Sequence, residues 1–408
     1  MRSIRFPLFF VFVVLGSLGV SACGGAGDEP PTYFGAAPAE VFYSYPYPGQ
    51  RRVSPSAPMV LRFSHPLTGG AQNARLSDAD GNPVPLAQAR LVDGDRGLIL
   101  RPAAGDLKPG TGYRLVLDGL ESDAGPLTFP AGALLFETRF AVDGPNAQRG
   151  HDSVLRVEAV FPDGEQRPFM DFSTVRLRFN QRLDADSLVY GESVSLTHDG
   201  DPVPATLLVK GDAVTLDPKQ DLTPGERYTL TLAPSVRGFQ GAALADGGLR
   251  RSWVARDSRP RTVMVQDTPP ASERGENPCA DPNARRSKLT GQAMNCVPIE
   301  AVLLGDADAT QQRGDVFTEL AFLPNYPEVS PLRIPRGSLL TGSNVRVKVA
   351  GVVPAGIETG DIAVTFLSDA SGYLLPNPYS ERPEAPRQVH LFMDVAMTAE
   401  NPEANGAL

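Results

Sequence analysis

The chain has 408 residues, with 47 acidic against 38 basic side chains and a formal net charge of −9. That length exceeds one ordinary domain and implies several. The acidic balance argues against a nucleic-acid partner, whose phosphates require clustered Lys and Arg. The 40 glycines and 39 prolines make about a fifth of the sequence, short of the collagen or disordered range. Dispersed between short apolar runs, they punctuate an all-β protein.

At the N-terminus Arg2 and Arg5 form a basic region, and an apolar stretch runs from Phe6 to Val20. It is too short to span a bilayer comfortably and has the length of a signal-peptide core. It ends in Val20-Ser21-Ala22-Cys23-Gly24-Gly25, which resembles the bacterial lipobox, where small residues precede a cysteine that is diacylated after cleavage. The resemblance implies a lipoprotein signal peptide over residues 1–22 and lipidation of Cys23. Residues 23–39 then form a lipidated tether, small and polar as a flexible linker is. Gly24 in place of an acidic residue implies a lipid-anchored position in the cell envelope at the outer membrane.

Phe42, Tyr43, Tyr45 and Tyr47 then make an aromatic cluster that reads as a first strand ended by Pro46 and Pro48. Alternating tyrosines on one face also suit a sugar or a protein partner. An internal repeat follows. Leu61-Arg62-Phe63 matches Leu177-Arg178-Phe179, and Asp80-Gly81-Asn82-Pro83-Val84-Pro85 matches Asp199-Gly200-Asp201-Pro202-Val203-Pro204. Leu98 to Pro102 matches Val214 to Pro218, and Asp106 to Tyr113 matches Asp221 to Tyr228. The blocks keep one order and a nearly constant offset, so two domains of one fold are expected over residues 40–142 and 153–257.

The repeated residues have physical roles. Leu61 and Phe63, like Leu177 and Phe179, alternate toward a core, with Arg62, Arg176 and Arg178 outward. Asp-Gly before Asn or Asp and Pro is a hairpin turn. Tyr113 and Tyr228 open strands after a Pro-Gly turn, with each ring on the core and each hydroxyl seeking a backbone partner. Short strands with turns every 8–12 residues predict sandwiches. This pattern resembles the bacterial Ig-like domain of the S-layer type (SbsA-like), which implies the fold and no ligand. The first domain also resembles periplasmic copper-resistance proteins. Their His and Met ligands near a free N-terminus are matched here only by Met59 and His65, so no copper is expected.

Residues 258–298, rich in Pro and polar residues, read as a linker. Cys279 and Cys296 lie within it, in an exported and oxidising compartment, and are expected to form a disulfide closing a loop worth about 3 kcal/mol. A metal site there lacks both a nearby His and CxxC spacing. From Ile299 the β pattern resumes over residues 299–304, 316–322, 344–349, 361–367 and 388–394. Residues 299–408 are therefore read as a third, C-terminal β-sandwich.

Candidate chemistry is sparse. His65, His151, His198 and His390 lie on separate segments with no G-x-S-x-G, H-E-x-x-H or P-loop. Asp306, Asp308 and Asp315 offer oxygen ligands to calcium but lack the loop glycine and terminal glutamate. No catalytic residue, metal or cofactor is assigned. The sequence is read as a non-enzymatic, membrane-anchored spacer, adhesion or binding module whose partner is an envelope protein or polysaccharide. The alternative is a C-terminal hydrolase or a calcium- or carbohydrate-binding domain.

Overall fold

Residue alternation and turn chemistry build the first two domains. The computed structural model describes residues 39–407 apart from 128, 130–131, 141–152, 275–277, 289–290, 299–308, 350–352, 383–384 and 386. In the first domain one sheet runs in the order Val41–Tyr45, Met59–Phe63, Gly97–Leu100, Arg90–Val92. The facing sheet runs Gln50–Val53, Leu134–Thr138, Gly112–Val116, Arg75–Asp78, Pro83–Val84. The second domain repeats the first order with Val157–Phe161, Val175–Phe179, Ala213–Pro218 and Ala205–Lys210. Its facing sheet runs Asp201–Pro202, Val194–His198, Arg227–Leu232, Leu249–Val254. Both are sandwiches over an apolar core, antiparallel except where Gln50–Val53 runs parallel to Leu134–Thr138.

The repeat residues take equivalent places. Leu61, Phe63, Leu177 and Phe179 are fully buried between their sheets. Gly81 and Gly200 have φ of 84° and 93°, the left-handed backbone that a tight hairpin needs and glycine supplies without penalty. The Tyr113 hydroxyl accepts from the Lys108 N–H at 2.8 Å and the Tyr228 hydroxyl from the Thr223 N–H at 2.9 Å. Both copies thus pin the Pro-Gly turn to the strand that follows it.

The outward arginines are partly covered. They leave the core as alternation requires, yet Arg62 and Arg176 do not reach water: their residues are 5% and 7% exposed. Arg62 binds the Asp93 carboxylate and the Lys288 carbonyl. Arg176 donates to the hydroxyls of Ser371 and Ser368, both at 3.1 Å, and to the Asp369 carbonyl at 3.0 Å. The outer faces of the repeats are covered by later sequence. Only Arg178 keeps a half-exposed side chain, paired to Asp212 at 3.1 Å.

The C-terminal domain has two five-stranded sheets. One runs Arg261–Asp267, Asp315–Ala321, Ser330–Ile334, Ala370–Leu375, Gln388–Phe392, and the other Cys296–Pro298, Ala309–Arg313, Leu339–Gly342, Ile362–Phe366, Val395–Ala399. Segment 258–298 is thus not only a linker, since it supplies an edge strand to each sheet. Prolines flank the first of these strands, and Val263-Met264-Val265 lacks alternation, so it does not read as a half-buried strand. The expected strand at 299–304 lies outside the described residues. Four strands pass from one sheet into the other across short corners: Arg313 to Asp315, Ile334 to Leu339, Phe366 to Ala370 and Phe392 to Val395. The domain is a meander bent upon itself, the corner construction of orthogonal sheet packing.

Residues 38–408 form one compact unit, held by polar junctions. Arg52, at φ 60°, reaches from the first domain to Asp212, to Glu158 at 3.1 Å and to the Phe179 carbonyl at 3.0 Å in the second. Arg333 spans Asp221 at 2.6 Å and Glu319 at 2.6 Å, while Arg336 holds Asp217 at 2.6 Å. The domains are fused rather than strung like beads.

Candidate ligand-binding face

Of the residues singled out in the sequence, Cys23, His151, Asp306 and Asp308 lie outside the described residues. Cys279 and Cys296 are joined in a disulfide, with Cα atoms 5.7 Å apart. Asp315 sits in the ladder opposite Asp267. Among the described residues no three His, Cys, Asp or Glu side chains group as a metal site.

The segment carrying the tyrosines is contacted from within the chain. Val41–Tyr45 pairs with Met59–Phe63 as the first strand of its domain. The Asn377 side chain donates to the Phe42 carbonyl at 2.7 Å, and the Ser44 and Tyr379 hydroxyls share a hydrogen bond of 2.5 Å. Tyr379 also meets Phe129 edge-on at 6.0 Å, and burial pushes its phenol up to about 12. Tyr47 stacks on His390 at 4.9 Å. Burial raises the phenols of Tyr43, Tyr45 and Tyr47, as expected of rings packed against protein. Phe42, Ser44 and Tyr47 seat the C-terminal domain on the first.

The histidines do not converge. His65 Nδ1 bonds the Ser64 hydroxyl at 3.0 Å, and His198 lies against Tyr228 at 5.1 Å. His390 meets Tyr47 of the first domain and Arg167 of the second, the latter at 3.4 Å. Burial and then the Arg167 charge hold its imidazole below the usual value.

Several charged groups elsewhere are paired. Burial favours a raised Asp221, yet the hydrogen bonds and charges of Arg261 and Arg333 carry its carboxyl below the usual range. Burial pushes the Asp369 carboxyl up against the pull of the Arg336 N–H. A cavity of about 480 Å³ on the first domain is lined by Gln50, Arg51, Asp78, Tyr113 and Glu137, among others. There Arg51 pairs with Glu137 at 3.0 Å, and Asp78 accepts from the Asn82 side chain and the Asp80 and Asn82 N–H groups. These groups hold ion pairs and turns and leave none poised as acid, base or nucleophile.

The unassigned feature is apolar. Register divides the first C-terminal sheet into two faces. Arg333, Ser371, Tyr373, His390 and Phe392 point to the second domain: Tyr373 donates to the Pro168 carbonyl at 2.6 Å, and Phe392 packs on Phe161 at 4.3 Å. The alternate residues face the other sheet, where Ile334, Phe366 and Ala370 form a small core with Val316 and Leu391. On these inner faces Met264, Val389, Met393, Val395 and Met397 are 39–56% exposed. Closed sandwiches bury such residues. This one leaves Val389, Met393, Val395 and Met397 open along one edge, a surface that adapts readily to irregular apolar shapes, while Met264 is exposed on the strand at the opposite end of the sheet. The sequence signal was Met393, Val395 and Met397 in alternation, but alternation alone does not say whether a covering layer exists.

These features define an all-β, multidomain protein with two tandem Ig-like sandwiches. The family described as bacterial Ig-like domain matches residues 152–252. Alkane uptake protein B of Marinobacter nauticus is 36% identical over 432 aligned positions, covering 95% of this chain and 38% of that protein. The chain therefore spans well under half the length of this curated relative. Among solved structures, the N-terminal part of the bacterial S-layer protein SbsC is 13% identical with a TM-score of 0.22, covering 55% of this chain and 46% of that one. An L,D-transpeptidase from Mycobacterium tuberculosis is 12% identical with a TM-score of 0.19, covering 53% of this chain and 89% of that one.

Proposed function

We propose that the protein is a non-enzymatic component of a bacterial cell envelope, anchored by lipid on Cys23, that binds an alkyl-type apolar ligand on the open inner face of its C-terminal domain. The observation that carries this reading is the exposure of Val389, Met393, Val395 and Met397 on faces that a sandwich ordinarily closes. Four flexible or branched apolar side chains suit a chain of methylenes, each of which gains about 0.8 kcal/mol on leaving water. The name of the Marinobacter relative, an alkane uptake protein, supports the same ligand class. The paired state of the charged groups supports binding over turnover. The fused domains argue for a rigid platform in place of an extensible spacer, with an envelope protein or polysaccharide as the further partner.

A photoreactive alkyl diazirine applied to envelopes carrying the full chain tests the ligand. Labelling should map to peptides around Val389 and Met397 and fall in the presence of excess hexadecane. Labelling confined to the N-terminal segment, or insensitive to hexadecane, would refute the site. Cys23→Ser should abolish palmitate incorporation and release the protein from the membrane fraction; retention of both would refute the anchor.

A further inference from the structure

The strand Gln388–Phe392 carries two unlike faces. Val389 is exposed on the inner side and begins the apolar edge that continues through Met393, Val395 and Met397. His390 points the other way, to the place where all three domains meet. Its ring stacks on Tyr47 of the first domain at 4.9 Å, and its Nδ1 lies 3.4 Å from Arg167 Nη2 of the second. Beside it Phe392 packs on Phe161 at 4.3 Å. One histidine thus seats on both Ig-like domains the strand that holds the start of the apolar edge.

Donor chemistry sets the protonation state of that histidine. A guanidinium only donates, so Nδ1 accepts from Arg167 and the ring is neutral with its proton on Nε2. Nε2 is buried without a partner, as is Nε of Arg167, so the junction is held at a cost. Asp163 steadies Arg167, taking its guanidinium at 3.1 Å and its backbone N–H at 2.8 Å. The other titratable groups against the ring are the phenols of Tyr47 and Tyr373, the latter donating to the Pro168 carbonyl. On the same segment Arg387 donates to the Glu328 carbonyl at 2.9 Å, and Asp394 is held by Ser368 and Arg176. Among the described residues, the charge set against the imidazole is that of Arg167.

We infer that His390 is an acid-operated release for the apolar edge: a proton taken up on Nδ1 breaks the bond to Arg167, sets two cations against each other and frees strand 388–392 from the two Ig-like domains. This rests on the ligand reading proposed above and adds its regulation. With the imidazole neutral, Val389 and Met393 keep the arrangement that an alkyl chain meets. With it protonated, the strand loosens and the ligand leaves. The face of Tyr47 favours a cation, whereas burial and the Arg167 charge oppose it and hold the imidazole below its usual value. The released strand therefore binds the proton more tightly than the docked one, and release sets in below about pH 6.5.

Amide hydrogen exchange of the full chain, corrected for the intrinsic pH dependence of exchange, reads the strand without any ligand. From about pH 7.5 to about pH 5, protection over 388–392 should fall at least about threefold, since each unit between the released and docked pKa values is worth up to about tenfold. Strand Leu249–Val254 should keep its protection. His390→Gln stays neutral and should hold protection nearly constant. Arg167→Gln offers a carbonyl to a protonated Nδ1 and should shrink the loss. In parallel, hexadecane-sensitive labelling of the Val389 peptide by the alkyl diazirine should disappear at the lower pH in the parent chain and persist in His390→Gln. Constant protection over 388–392 in the parent, or an equal loss in His390→Gln, would overturn the switch. Hexadecane-sensitive labelling that persists at the lower pH would overturn the release and leave the ligand site standing. Its absence at the higher pH would instead overturn the ligand site, and the exchange data would then decide the switch alone.

Discussion

Truncating Arg176 isolates the junction between the second and C-terminal domains. The wild-type guanidinium is buried and makes three hydrogen bonds of 3.0–3.1 Å, to Ser371, Ser368 and the Asp369 carbonyl, with Asp394 at 3.4 Å. Burial pulls its pKa down against the opposing charges of Asp394 and Asp217, so its own desolvation is costly. In Arg176→Ala the acceptors remain buried without it. Asp394 keeps Ser368 at 2.7 Å and Thr215 at 3.3 Å, and its side chain is 24% exposed. The loss should therefore fall below the 3–5 kcal/mol of a fully buried broken pair, at about 2–3 kcal/mol. Arg176→Met fills the volume and removes the desolvation cost, and should lose only about 1–1.5 kcal/mol. Arg178→Ala, two residues on and partly exposed, should lose about 0.5 kcal/mol. Trp253 is the sole tryptophan, is buried, and stacks on Phe169 at 5.1 Å, so its fluorescence follows the second domain in a urea titration. The midpoint should fall by roughly 1.5–2 M for Arg176→Ala and hardly move for Arg178→Ala. Equal shifts for the two variants would refute the assignment of Arg176 to a buried junction.

Phe63→Ala and Phe179→Ala should each destabilise their own domain by about 3–5 kcal/mol, with the Phe179 variant moving the Trp253 transition more. Tyr113→Phe and Tyr228→Phe should each lose about 1 kcal/mol in thermal unfolding, because the Lys108 and Thr223 N–H groups lose their acceptor. His390 is held below 6.5 in the folded state, so the unfolded chain binds its proton first as pH falls. Its contribution is intact above about pH 6.5 and declines toward the lowered folded value, by at most about 1.4 kcal/mol per pH unit. A His390→Gln variant should flatten that part of a stability–pH profile, and an unchanged slope would show that another group governs it.

Much of the first two domains was legible because their determinants are local. Leu61 and Phe63 alternate with Arg62, Gly81 and Gly200 mark the hairpins, and each Tyr follows its Pro-Gly turn. What an outward side chain meets is not local. Alternation turns Arg62 and Arg176 outward but does not show that Lys288 and the 368–371 corner cover them. The aromatic cluster read correctly as a first strand, but nothing local showed that Asn377 and Tyr379 reach Phe42 and Ser44 from more than 300 residues away. In the C-terminal domain, Ala309–Arg313 and Ala370–Leu375 escaped because Thr, Gln, Ser and Gly occupy buried positions there. Strand 261–267 escaped because an exposed edge has no buried face to impose a period.

These features of the C-terminal domain have a common physical basis. Among the described residues the domain buries Leu332, Ile334, Ile362, Phe366, Ala370 and Ala399 between its sheets, which supplies its own apolar core. Further stabilisation comes from the outer face, where Tyr373, Phe392 and Arg333 dock on the second domain, and from Tyr379, which packs against the core of the first. That docking relieves part of the inner face of holding the fold together, and Val389 and Met397 stay exposed at its edge. The two Ig-like sandwiches are thus the support that lets an apolar face remain exposed.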